Sequence, residues 1–233
     1  MSSLDRSVST SRAKVSVSRD DQGAFFSLAT GEGKEPLDVR VGFERRGQIG
    51  LRTDLLARAI GFKKNNPLRV FDATAGLCRD SFHFFCLGCQ VLAIEAQPIL
   101  FEVVSEQLAR QVHSDRLKLI RGDAVEFLTT QAKELSAAPA FDVIYLDPIF
   151  AHDKSKSARS GKESELLRAL AAEPDEAADQ QLLVAALAFK GVRVVVKRPL
   201  RAKEISVPAD GKNLFLSKHS IKGAAIRYDV YTC

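Results

Sequence analysis

No run of apolar residues in this sequence approaches the length of a bilayer-spanning helix, which argues against a membrane-embedded chain. Residues 1–20 carry Ser, Arg and Lys but no apolar stretch, so they do not read as a secretory signal. Their only acidic residues are Asp5 and Asp20, so a transit peptide stays open beside the simpler reading of a frayed, Ser-rich tail. Cysteine is scarce: Cys78, Cys86, Cys89 and Cys233. Cys86 and Cys89 form a C-x-x-C, but there is no second such pair and no Cys/His pair at zinc spacing. Two small buried residues at a helix-to-strand junction explain that pair better than a metal or redox site. Free thiols point to a reducing cytoplasm. The dinucleotide fingerprint G-x-G-x-x-G and any internal repeat are also missing, and the first of these absences disfavours a dinucleotide-dependent dehydrogenase.

What is present suits a soluble globular chain of 233 residues, with 45% hydrophobic and 27% charged residues. The net charge of +5 favours a polyanionic partner, since neutralised phosphates release counterions, although many basic enzymes never touch nucleic acid. Residues 1–36 read as a poorly ordered or short N-terminal extension, and residues 37–233 as a catalytic domain. Apolar residues at Leu51, Leu55, Leu56, Ala59 and Ile60 have helical spacing, with Gly61 as a stop. Beyond them β-prone runs occupy 68–74, 91–95, 117–120, 141–147 and 192–196, with a last one at 226–231. Helical patterns lie between them at 80–87, 98–112, 124–135 and 162–188, the last broken near Pro174. This alternation predicts an α/β fold of Rossmann-like type, a mainly parallel sheet with helices on both faces. Several of the strands are nearly all apolar, as burial on two sides requires. Residues 151–162, AHDKSKSARSGK, are a basic loop with Lys154, Lys156, Arg159 and Lys162; a plain solvated loop would look the same.

Ligands of open α/β sheets bind beyond the carboxyl ends of the strands, so those ends carry the chemistry. The first run closes on Asp72-Ala-Thr-Ala-Gly-Leu-Cys-Arg-Asp80, an acid before a tight turn of small residues that includes Gly76. The helix that follows aims free N–H groups at a ligand, although a packed strand-to-helix turn needs the same residues. The second run ends in Glu95, whose carboxylate suits two ribose hydroxyls at roughly 1.5–3 kcal/mol per hydrogen bond. The third leads into Asp123, which suits an adenine amino group and equally an N-cap of the next helix. The fourth ends in Asp147-Pro148-Ile149-Phe150. An exocyclic amine is a poor nucleophile because its lone pair is delocalised into the ring. A carboxylate and a backbone carbonyl can accept its two N–H bonds and turn the lone pair toward a methyl donor. Pro148 fixes that backbone, and Phe150 offers a face on which an extruded base can stack. Asp-Pro-x-aromatic also occurs in plain loops. Four acids at four successive strand ends, with a Gly turn after the first, form a pattern that chance seldom places in this order.

DATAGLCRD (72–80), YLDPIF (145–150), VVVKRP (194–199) and RYDVY (227–231) resemble the RsmJ family, bacterial 16S rRNA (guanine(1516)-N(2))-methyltransferases. The likeness runs from about Leu37 to the C-terminus and includes ERRGQIGLRTDLLARA (44–59). It implies a Rossmann-like fold, S-adenosyl-L-methionine as cofactor, no metal, and 16S rRNA or the small ribosomal subunit as partner in the cytoplasm. It further implies that Arg79, Asp80, Glu95, Ala96, Asp123, Ala124 and Asp147 contact the cofactor while Asp72 and Gly76 shape its pocket. Asp147, Pro148 and Phe150 would carry catalysis. Arg45, Arg46, Lys154, Lys156, Arg159, Lys197 and Arg198 would face RNA, the last two also reading as ordinary strand-end solvation. The chain departs from the family at Cys78, where Gly is usual, at Ala96, where a basic residue is common, and in a thinned glycine-rich loop, with Ile49 and Leu51 flanking Gly50. The alternatives are an N-methyltransferase acting on another nucleic acid or a protein, and a non-catalytic RNA-binding relative.

Overall fold

The computed structural model describes residues 7–9, 14–29, 35–43, 50, 52–134, 140–148, 161–170, 175–205, 207–209, 213–215 and 217–232. Its first strands are β1 (Ser7–Ser9), β2 (Lys14–Asp20), β3 (Gly23–Ala29) and β4 (Leu37–Val39), followed by helix α1 (Leu55–Ala59). Then come β5 (Arg69–Asp72), α2 (Arg79–Leu87), β6 (Gln90–Glu95), α3 (Pro98–Gln111), β7 (Leu117–Arg121) and α4 (Ala124–Glu134). The chain continues through β8 (Val143–Leu146), α5 (Lys162–Leu170), α6 (Glu176–Leu187), β9 (Arg193–Pro199), β10 (Val207–Ala209), β11 (Asn213–Phe215), β12 (His219–Lys222) and β13 (Ile226–Thr232).

Seven of these strands form one sheet in the order β12-β13-β9-β8-β5-β6-β7. The pairs β5–β6, β6–β7, β5–β8 and β8–β9 are parallel, while β13 runs antiparallel to both β9 and β12. The chain leaves β5 toward β6 on one side and returns to β8 on the other, so the topological switch point lies between β5 and β8, where such sheets bind ligands. Strand pleating splits the core in two. Val70, Val143, Tyr145 and Val195 pack with Leu56 of α1, Phe84 of α2, Val103 of α3 and Leu166 of α5. Phe71, Ile144, Val194 and Val196 face the other way, onto Leu128 of α4 and Leu183 of α6. Helices therefore cover both faces, as the alternating pattern predicts. The helical pattern at 162–188 is two helices, and Pro174 lies outside the described residues.

Residues 14–29 differ from the weak order that their composition predicts. Val15 and Val17 of β2 and Ala24, Phe26 and Leu28 of β3 are buried, and they share a core with α3 and α5. The strands pair from Lys14↔Ala29 to Asp20↔Gly23 across a two-residue turn. Gly23 sits at φ +100°, where a side chain would be strained and its Cβ would lie 2.8 Å from Gln107 Nε2 and Arg110 Nε. This close approach lets buried Gln107 donate to the carbonyls of Gln22 (3.2 Å) and Ala24 (2.8 Å), while Glu106 accepts from the Ala24 N–H at 2.9 Å. The alternation Val15-x-Val17, a turn, then Ala24-x-Phe26-x-Leu28 is the period-2 signal that marks this hairpin in the sequence. Among the described residues no helix is long and apolar enough to cross a membrane.

Candidate active site

Every acid singled out in the sequence stands at or just beyond the carboxyl end of a parallel strand or in the first turn after it. Asp72 ends β5 and is 1% exposed. It accepts from the Ser81 hydroxyl at 2.5 Å and from the Thr74 N–H at 3.1 Å, which pins the turn against the start of α2. Burial pushes its pKa up to about 7 against these bonds, and the charges of Asp80 and Asp147 push the same way. Within the turn, Gly76 has φ +51° and Cys78 φ +57°. A left-handed non-glycine residue costs about 1–2 kcal/mol, so the buried Cys78 carries strain that a glycine would not. Burial also raises its thiol pKa well above the ordinary value, which makes it a poor nucleophile. Cys86, on α2, and buried Cys89, just before β6, form no disulfide and flank the helix-to-strand junction.

Glu95 ends β6 and gathers the turn. Its Oε2 accepts from the Gly76 N–H at 2.8 Å and its Oε1 from the Gln97 N–H at 2.7 Å. Burial raises its pKa, and these N–H groups oppose the shift. Each carboxylate oxygen has a second lone-pair direction, so both ribose hydroxyls of a nucleoside can still be accepted. Ala96 beside it is exposed, and Ala124 is buried in the first turn of α4. Asp123 is exposed past the end of β7, where its Oδ1 accepts from the Glu126 N–H at 2.8 Å. The N-cap reading of Asp123 is thus realised.

At the switch point the Asp147 N–H donates to Thr74 Oγ1 at 2.6 Å, fastening the end of β8 to the glycine turn. Lys197 Nζ lies 2.7 Å from Asp147 Oδ2 and 2.8 Å from Asp80 Oδ2. The Tyr145 hydroxyl donates to the same Asp80 oxygen at 2.6 Å. Burial pushes the Asp147 pKa up to about 6, Lys197 opposes the rise and Asp80 adds to it. Its side chain keeps 34% exposure and lies beside an ammonium, so the carboxylate is ionised at neutral pH. The two carboxylates hold the Lys197 pKa far above that of a free lysine, although its burial works in the opposite direction.

The geometry gives Asp80 and Arg79 partners within the protein and separates Lys197 from Arg198. Asp80 is engaged by Tyr145 and Lys197. Arg79 donates to the Gly42 carbonyl and pairs with Glu163, tying the turn to the segment after β4 and to α5. Lys197 and Arg198, read from the sequence as two phosphate-facing cations, cannot act together, because adjacent strand residues point to opposite faces. Arg198 is 9% exposed and donates to the Lys203 carbonyl at 2.5 Å on the α6 side, where burial lowers its pKa and Asp179 opposes that shift. It is tied into the fold there, on the opposite side of the sheet from Lys197. Pro148 is buried. Phe150, Arg45, Arg46, Lys154, Lys156 and Arg159 lie outside the described residues. Thr74 and Tyr145 were not singled out in the sequence. Their signals are a hydroxyl within DATAG and one tyrosine in the otherwise apolar strand V-I-Y-L, since a buried phenol needs a partner.

The glycine turn after β5 and the acids at or just past the ends of β5, β6, β7 and β8 lie at the carboxyl edge of the parallel strands, where α/β sheets bind ligands. A family model described as "Putative SAM-dependent methyltransferase" matches residues 38–233, and the class of protein is accordingly an S-adenosylmethionine-dependent methyltransferase. The ribosomal RNA small subunit methyltransferase J of Thioalkalivibrio sulfidiphilus is 37% identical over 224 residues, covering 91% of this chain and 82% of the relative. That of Pseudoalteromonas atlantica is 40% identical over 199 residues, covering 80% and 71%. The crystal structure of a SAM-dependent methyltransferase from Neisseria gonorrhoeae superposes with a TM-score of 0.63 at 25% identity, covering 100% of this chain and 84% of that one. The chain belongs to the ribosomal RNA small subunit methyltransferase J family.

Proposed function

We propose that this chain methylates the exocyclic N2 of a guanine in small-subunit ribosomal RNA, acting in the cytoplasm on 16S rRNA or the assembled subunit. The observation that carries the reading is Asp147 at the switch point, its backbone bonded to Thr74 of the glycine turn and its carboxylate held by Lys197. The donor set fits S-adenosylmethionine: Glu95 for the ribose hydroxyls, Asp123 for the adenine amino group, and the N–H groups of the Gly76 turn at the start of α2. When bound, that cofactor supplies an electrophilic methyl carbon on a sulfonium. Ala96 and Ala124 flank the adenosine with small side chains, and Asp72 holds the turn through Ser81 and Thr74.

Asp147 accepts one N–H of the guanine amine and a backbone carbonyl near Pro148 accepts the other, so the nitrogen lone pair points at the methyl carbon. The nitrogen forms the new N–C bond with that pair, the C–S bonding pair leaves with sulfur, and one N–H proton passes to solvent. Catalysis is positioning and electrostatics. Phe150 stacks on the extruded base, and Arg45, Arg46, Lys154, Lys156 and Arg159 neutralise RNA phosphates. Residues 37–233 are the catalytic unit, with the N-terminal hairpin as a buttress on α3.

The test is incubation with labelled S-adenosylmethionine and, separately, small subunits, naked 16S rRNA, tRNA and DNA, followed by mass spectrometry of the nucleosides. N2-methylguanosine in small-subunit RNA is the expected product. A label in another nucleoside or in protein sinks the guanine reading. Cofactor binding with no label in any acceptor favours a non-catalytic RNA-binding relative.

A further inference from the structure

The four side chains Tyr145, Asp80, Lys197 and Asp147 form a connected chain across the carboxyl ends of β8 and β9 and the first turn of α2. Their positions follow from local rules. Asp80 lies in the first helical turn, where a carboxylate is stabilised by the helix N-terminus. Tyr145 is 1% exposed, so its hydroxyl needs a buried acceptor, and Asp80 supplies it. Lys197 shares the sheet face of Val195, the face that carries Tyr145. Its ammonium, on a side chain 23% exposed, donates to both carboxylates. One cation between two anions leaves a net charge of −1, the complement of a single sulfonium.

We propose that Lys197 is a positioning residue for methyl transfer, holding Asp147 by Oδ2 so that Oδ1 meets the substrate amine with the carboxylate ionised. The proposal rests on the guanine-amine reading above. Asp80 anchors the ammonium from behind, and Tyr145 anchors Asp80. The contact therefore fixes both the direction and the charge of the group that orients the nucleophile. It also separates Lys197 from RNA binding, because its ammonium is already committed to two carboxylates within the protein. Among the described residues, Asp72 at the end of β5 adds negative charge near Asp147, and Tyr228 of β13 acts electrostatically on Tyr145.

Without the ammonium, burial and the neighbouring Asp80 both act to protonate Asp147, whose pKa of about 6 already reflects that pressure. An opposite charge at this range is worth about 1–3 pH units. In Lys197→Met the acid limb of kcat should move up by about that amount, so that activity at pH 7 falls roughly 2- to 100-fold and recovers partly as pH rises. Lys197→Gln, which keeps a donor but no charge, should show the same shift if the methionine variant folds poorly. Lys197→Arg should keep the wild-type limb. KM for S-adenosylmethionine should not rise in the uncharged variants, because a positive charge near the sulfonium has been removed; collapse of the site would raise it. A folded uncharged variant with an unmoved acid limb overturns the proposal, as does a raised KM with kcat unchanged. The carboxyl titration of ¹³C-labelled Asp147, followed by NMR in the wild type and the variants, needs no turnover. If the wild type makes no N2-methylguanosine the function reading fails on that result, whereas an Asp147 titration indifferent to Lys197 overturns the clamp by itself.

Discussion

Glu95 is where the fold and the cofactor make competing demands on one side chain, and Glu95→Gln separates them. In the wild type each carboxylate oxygen receives a backbone N–H, Gly76 at 2.8 Å and Gln97 at 2.7 Å. The amide keeps one oxygen and turns the other into an NH2 group facing an N–H donor. One hydrogen bond is lost and two donors oppose each other in a buried place, at a cost of about 1–3 kcal/mol in stability. For a bound nucleoside the charge is lost, and one ribose hydroxyl must accept from the amide NH2 where it donated to a carboxylate oxygen. A hydrogen bond to an ionised acceptor contributes about 1.5–3 kcal/mol and a neutral one about 0.5–1.5. Two ribose hydroxyls thus lose about 2–3 kcal/mol together, which raises the S-adenosylmethionine Kd roughly 30- to 150-fold. Isothermal titration calorimetry with S-adenosylmethionine and S-adenosylhomocysteine reads the affinity, and urea unfolding of the same samples reads the stability. Because burial raises the Glu95 pKa, wild-type affinity should also fall at a higher pH than a surface glutamate would dictate, as acid neutralises the acceptor. A folded Glu95→Gln that binds S-adenosylmethionine within threefold of the wild type would refute the ribose role and leave Glu95 as a brace for the glycine turn.

Asp147→Asn and Asp147→Ala should keep the fold and bind cofactor within a few-fold while kcat drops by about 10²–10³, the usual cost of one oriented electrostatic contact; near-normal turnover in both variants removes Asp147 from the mechanism. Asp72 has a folded-state pKa of about 7, above the ordinary carboxylate value, so its contribution to stability is fully present below about pH 4 and is lost as pH rises through 7. Asp72→Asn should flatten that slope in urea midpoints taken at pH 5 and pH 8, and an unchanged slope would place the pH dependence elsewhere. Phe26→Ala should lower global stability by about 3–5 kcal/mol, because Phe26 lies in the core shared with α3 and α5. A thermal transition unmoved by that substitution would make the N-terminal hairpin an independent appendage.

The alternation of strands and helices over residues 68–199 and the last strand near 226–231 were legible because they are written in local periodicity, whereas β10, β11 and β12 were not read from it. Runs such as V-I-Y-L and V-V-V are apolar throughout, as strands covered on both faces must be, and the helices between them repeat at 3–4 residues. The acids Asp72, Glu95, Asp123 and Asp147 were legible as strand-end residues for the same reason, since a strand's end is marked by the turn that follows it. The N-terminal hairpin was obscured by its polar outer face. Val15, Val17, Phe26 and Leu28 alternate correctly, but the Ser, Arg and Lys residues between and before them read as a tail until α3 offers Gln107 and Glu106 to hold it.

By itself, then, the sequence determined the order of elements and the chemistry gathered at the strand ends, because propensity, pleat period and turn residues act over a few residues. Only the tertiary structure decided which face holds the site. Lys197 meets Asp147 across 50 residues and Asp80 across 117, and Tyr145 meets Asp80 across 65. Those meetings depend on the register of β5, β8 and β9 and on the docking of α2, which no local pattern encodes. The same packing buried Arg198 on the other face and brought Asp80 to Lys197 and Tyr145.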